Sequence, residues 1–104
     1  MGRHHVLVVC GSGASSAFMV IAMRKAISER GLDIEIKARS EAEIENYTDE
    51  MEAVMIGPHL SVYYDNLKKR YGDRFTVILM KQEYYGTLDG NLAVDHLLAE
   101  TGWQ

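Results

Sequence analysis

Val6-Leu7-Val8-Val9 runs without a polar break into Cys10, and then into Gly11-Ser12-Gly13-Ala14. No other feature restricts the fold as much as this junction. A β-branched run with no polar face reads as a strand covered on both sides, the kind that parallel sheets contain. A helical pattern starts near Ser15 or Ser16, where Met19, Ala22, Met23, Ala26 and Ile27 recur at the spacing of one helix face. Gly31 is a natural helix stop.

The same unit repeats along the chain. Leu32 to Ala38 alternates apolar and charged residues, as an edge strand does. Ser40-Glu41-Ala42-Glu43 is a capping-box signature that opens a short acidic helix. Ala53 to Gly57 is a third buried strand, closed by Pro58. The next helix carries Leu60, Tyr63, Tyr64, Leu67 and Tyr71 on one face and ends at Gly72, and Phe75 to Met80 is the fourth strand. The segment Lys81 to Gly90 is a long loop, of the sort that binds or covers something. A last helix then turns Val94, Leu97 and Leu98 inward. Four alternations of strand and helix with short connections predict a single α/β domain over residues 1–104. Its four-stranded parallel sheet has right-handed crossovers and helices on both faces. In such folds ligands bind beyond the carboxyl ends of the strands, and the loops there begin at Cys10, Arg39, Gly57 and Lys81.

Composition narrows the function classes. The 15 acidic and 11 basic side chains give a formal charge of −4, with no basic stripe of the kind that grips nucleic-acid phosphates. With one cysteine no intramolecular disulfide can form, and a free thiol fits a reducing compartment. The longest apolar run, Ala17 to Met23, is far short of a membrane span. Gly11, Ser12 and Gly13 interrupt the apolar start and no small-residue cleavage site follows, so it does not read as a signal peptide. A cytoplasmic protein is expected.

Cys10 stands at the end of the first strand, before a glycine-rich helix entrance. Glycines let successive backbone N–H groups converge, and the helix start adds partial positive charge, which together form an anion cradle. Gly11, Ser12, Gly13, Ala14, Ser15 and Ser16 form that candidate cradle, with three serine hydroxyls as further donors. The same features lower the thiol pKa and make Cys10 a better nucleophile near neutrality. The plain alternative is an inert core thiol beside a tight turn. The position of the cysteine favours the functional reading. The layout resembles that of low-molecular-weight cysteine phosphatases, which carry an arginine six residues after the cysteine. Here that position is Ser16, and no arginine lies between Cys10 and Arg24. The fourth loop opens without an aspartate acid. A phosphocysteine held without these groups is hydrolysed slowly, which suits a carrier.

Taken together these stretches resemble the lactose, cellobiose and chitobiose type of IIB proteins of bacterial sugar phosphotransferase systems. The matching residues are Val6 to Cys10 with Gly13-Ala14-Ser15-Ser16, Ser40-Glu41-Ala42-Glu43-Ile44, Ile56-Gly57-Pro58-His59-Leu60, and Tyr85-Gly86 with Gly90. The resemblance implies a relay in which a phosphohistidine on a IIA partner phosphorylates Cys10. Cys10 then passes the group to a sugar bound in a membrane IIC transporter. No cofactor is expected, and the charge balance argues against a nucleic-acid partner. Two positions depart from the family pattern: His59, where glutamine is common, and Tyr84, where an acidic residue is frequent.

The remaining candidates lie on the rim. Phe18 and Ala14 flank the cradle as an apolar collar for a docking partner. His59 either contacts the phosphate or partner, or is a solvated loop histidine. Tyr84 and Tyr85 are adjacent aromatics in a long loop, hard to bury together, so one is expected to anchor a partner. Tyr63 and Tyr64 are expected to pack on the core and rim. Lys68-Lys69-Arg70 is expected to be a solvated helix end. His4 and His5 are expected on the surface at the opposite end of the sheet, without the third ligand a metal needs. Two rival functions stay open. One is a small cysteine phosphatase or arsenate-reductase-like enzyme, and the other is a nucleotide-binding module that uses the glycine loop without covalent chemistry.

Overall fold

A computed structural model describes residues 4–10, 14–47 and 49–103. The loop residues Gly11, Ser12 and Gly13 lie outside the described residues, as do the side chains at positions 10, 14–16 and 41. Strand β1 is His4–Cys10, helix α1 is Ala14–Arg30 and strand β2 is Ile34–Ser40. A 3₁₀ helix over Glu41–Tyr47 leads to β3, Ala53–Ile56. A second 3₁₀ turn, Pro58–Leu60, runs straight into α2, Ser61–Tyr71. Strand β4 is Thr76–Leu79, followed by a one-turn helix α3, Gln82–Tyr85, and by α4, Gly90–Thr101.

The four strands are parallel and lie in the order β2-β1-β3-β4. The chain leaves β1 to one side to build β2, then returns past β1 to build β3. The switch point of the sheet therefore lies between β1 and β3. Side-chain alternation divides the core in two. Val6, Val8, Ala53, Met55 and Ile78 meet Met19, Met23 and Ala26 of α1 and Ala93, Val94 and Leu97 of α4. On the opposite face Leu7, Val9, Val54, Ile56 and Val77 meet Ile44, Leu60, Leu67 and Tyr71. Val6 through Val9 are completely buried. Each such side chain stabilises the fold by roughly 1.5–3 kcal/mol relative to an exposed one.

The expected edge strand is present, with Ile34 and Ile36 buried and Glu35 and Lys37 half-exposed. It starts at Ile34, two residues later than the alternation implies, because Gly31 takes a left-handed φ of 68° and Leu32 closes that turn onto Ile27. The segment after Ser40 is a 3₁₀ helix, and only half of the capping box is visible there. Glu43 Oε2 accepts from the Ser40 amide at 3.1 Å and from its hydroxyl at 3.0 Å. His4 and His5 belong to β1. The His4 ring stacks on Trp103 at 4.0 Å and its Nδ1 meets Glu52 at 2.9 Å, at the amino end of the sheet.

Candidate functional site at the carboxyl rim of the sheet

Four strand ends converge at the rim. The ladder pairs Cys10 with Ser40 on β2, and the Gly57 amide donates to the Val9 carbonyl at 2.9 Å, which carries the β1–β3 ladder one step past Ile56. The Met80 amide extends β3–β4 in the same way, to Ile56 at 2.8 Å. Cys10 thus ends the central strand with Ser40 on one side and Gly57 on the other. Four residues further on, α1 begins at Ala14. A 17-residue helix that starts there directs its unpaired N–H groups and its partial positive charge toward the end of β1.

Two charged groups near the β2 end of this rim, Glu43 and Arg39, are held by neighbours. The Ser40 amide and hydroxyl keep the Glu43 carboxyl below the ordinary glutamate range. On β2 the Arg39 guanidinium donates to the Tyr47 hydroxyl at 2.8 Å and to the Ala38 carbonyl at 2.6 Å, and the tyrosine raises its pKa further. Arg24 is the first arginine after the cysteine. It donates to the Ile36 carbonyl through Nη2 at 2.8 Å and Nε at 3.2 Å, tying α1 to the edge strand.

His59 is exposed on the 3₁₀ turn after β3, with its ring 6.0 Å from that of Tyr85. Phe18 is 62% exposed on the second turn of α1. The tyrosine pair overturns the expectation from the sequence. Tyr84 and Tyr85 are both buried in the core between α1, α4 and the sheet, so neither stands out as a docking anchor. The reason is local geometry, because the segment is a helical turn and not an extended loop. Successive side chains in a helix diverge by about 100°. Tyr84 is directed at α4, where its hydroxyl meets Nδ1 of His96 at 2.6 Å, while Tyr85 lies beside His59. Burial pushes the Tyr84 phenol up to about 12.

The sequence reading also missed exposed apolar groups. Val62 and Tyr63 face solvent at the start of α2, and Ile21 does so one turn beyond Phe18. Of the two tyrosines expected to pack on the core and rim, Tyr63 is 44% exposed and Tyr64 packs on the core. Only Tyr64, Leu67 and Tyr71 of that helix pack on the core, with Leu60 just before it. Val62 was legible as a residue off that stripe. Lys68, Lys69 and Arg70 are exposed as expected, with Arg70 paired to Glu45.

Residues 5–96 match the family described as PTS system, Lactose/Cellobiose specific IIB subunit. The chain belongs to this family. Among its relatives, the oligo-beta-mannoside-specific EIIB component of Bacillus subtilis is 30% identical over 97 residues, covering 90% of this chain and 92% of the relative. The lactose-specific EIICB component of Lacticaseibacillus casei is also 30% identical, over 93 residues. That match covers 86% of this chain, which spans only 16% of the longer protein. The solved lactose-specific IIB domain from Streptococcus pneumoniae superposes with a TM-score of 0.81 at 15% identity, covering 95% and 98% of the two chains. The cellobiose-specific IIB component from Borrelia burgdorferi gives 0.76 at 18% identity, covering 99% and 96%. These likenesses establish the IIB fold. The chain is a IIB component of a phosphotransferase system, and among its described residues no helix is long and apolar enough to cross a membrane.

Proposed function

We propose that this IIB domain carries a phosphoryl group on Cys10 between a IIA phosphodonor and a sugar bound in a membrane IIC transporter, working in the cytoplasm during sugar uptake. The observation that carries the reading is the place of Cys10. It ends the central strand, at the switch point, four residues before α1 begins at Ala14. In open α/β sheets this is where anionic ligands bind.

In the first step the Cys10 thiolate attacks the phosphorus of the donor phosphohistidine. The S–P bond forms, the N–P bond breaks, and its electron pair stays on the imidazole. In the second step a sugar hydroxyl attacks the same phosphorus. The O–P bond forms, the S–P bond breaks, the thiolate is restored and the hydroxyl proton leaves to a base. Gly11 to Ser16 supply the amide and hydroxyl donors that hold the phosphoryl oxygens, and no cofactor takes part. Phe18, exposed beside the start of α1, is the apolar contact for the IIA donor.

Retention of the phosphate is supported by the arginines. A cysteine phosphatase needs a guanidinium on the phosphoryl oxygens, whereas Arg24 and Arg39 are engaged with backbone carbonyls and Tyr47. The test is intact mass after incubation with phosphoenolpyruvate, the general phosphotransferase proteins and a matched IIA. Wild type gains one phosphoryl group and Cys10→Ser gains none. Turnover of a generic aryl phosphate without a stable adduct would favour a phosphatase instead.

A further inference from the structure

The imidazole of His59 occupies the space that a side chain at position 57 would fill. A Cβ built on Gly57 would lie 2.7 Å from Cε1 of His59 and 3.1 Å from Nδ1. Which side of the sheet this is follows from strand parity. Ala53 and Met55 pack on the α1 side, and position 57 continues their parity. Val6 and Val8 pack on that side too, and position 10 continues theirs. The Gly57-to-Val9 hydrogen bond makes positions 10 and 57 cross-strand neighbours, at the spacing of about 4.8 Å between adjacent strands. Tyr85 flanks the ring from the β4 side. Among the described residues neither ring nitrogen of the exposed His59 has a hydrogen-bond partner.

We infer that His59 is a catalytic residue of the relay, donating a hydrogen bond from its imidazole to the phosphoryl group as it arrives on and leaves Cys10. The inference rests on the phosphocysteine reading above. From position 57, one strand over from the end of β1, a ring N–H is placed to reach a phosphoryl group carried at position 10. Gly57 is what admits the ring. Its backbone, at φ −60° and ψ 148°, is open to any residue, so the absence of a side chain there serves the space and not the conformation.

The experiment is single-turnover transfer from a phosphorylated IIA, followed by rapid quench and intact mass, on wild type, His59→Leu, His59→Gln and Gly57→Ala. Loss of a hydrogen bond to a charged group slows transfer about 10-fold or more in His59→Leu. His59→Gln keeps an N–H donor and returns to within about 3-fold of wild type, a rescue that a packing role would not produce. Gly57→Ala displaces the ring and resembles His59→Leu, yet adds nothing when combined with it. Melting temperatures of all four stay together, as expected for exposed or small changes. Equal transfer rates for wild type and His59→Leu overturn the inference while leaving the carrier intact, as does an undiminished Gly57→Ala effect in the His59→Leu background. No phosphate on wild-type Cys10 overturns both readings.

Discussion

Gly90 meets the backbone of Ala22 so closely that a Cβ at position 90 would lie 2.2 Å from the Ala22 carbonyl oxygen. This contact sets how α4 lies against α1, the helix whose first turn borders the candidate site. Two effects compete in Gly90→Ala. Helix propensity favours alanine by about 1 kcal/mol. Overpacking against backbone atoms that cannot rotate away costs about 1–3 kcal/mol or more. The clash wins, and the variant unfolds at lower urea with a net loss of about 1–2 kcal/mol.

The Tyr84 hydroxyl and Nδ1 of His96 share a hydrogen bond while Nε2 of His96 faces Glu100 at 3.7 Å, which joins α3 to α4. Tyr84→Phe removes that hydrogen bond and costs about 1 kcal/mol near neutral pH. The native phenol holds its proton to about pH 12, whereas an unfolded tyrosine releases it near 10. Between these values the unfolded state binds fewer protons, so wild-type stability falls as pH rises. Denaturation of both proteins from pH 9 to pH 12 should show the advantage of wild type shrinking and then reversing, by up to about 2 kcal/mol.

Glu43 is an acid with the opposite shift. Its native pKa is lowered by the Ser40 amide and hydroxyl. The stability it contributes is therefore fully present above the unfolded glutamate value and is lost as pH falls through the native one. Glu43→Gln should melt lower than wild type at pH 7. The gap should close as pH drops below the ordinary glutamate range, about 4.3, in thermal melts across that window.

Phe18→Asp tests the docking contact. The side chain is exposed, so the substitution leaves stability within about 0.5 kcal/mol. Replacing an aromatic anchor by a charge should raise the KM for the phosphorylated IIA about 10-fold or more. Steady-state transfer at varied IIA concentration separates this from a change in kcat. An unchanged KM would place the docking surface elsewhere, with exposed Val62 at the start of α2 the next residue to replace.

Much of the fold was legible because its signals are local. Val6 to Val9 could only be a doubly covered strand, and the sheet buries all four. The stripe Met19, Met23, Ala26 and Ile27 faces the core as its spacing requires. Cys10 was placed at a strand end by nothing more than the glycines behind it, and β1 does end there. The fourth loop was less legible. A four-residue helix offers one turn of pattern, too little to separate from an extended loop, so the burial of Tyr84 and Tyr85 was missed.

Local patterns in the chain were enough to place the four strands, the three long helices, the family and the cysteine at the end of β1. Each follows from periodicities and motifs a few residues long. Only the tertiary structure decided that His59 lies over Gly57, that Arg24 is held by β2, and that α4 docks where Gly90 meets Ala22. These relationships join residues whose spacing in the chain carries no pattern. They arise from strand register and helix approach, set when the two apolar faces of the sheet are covered at once.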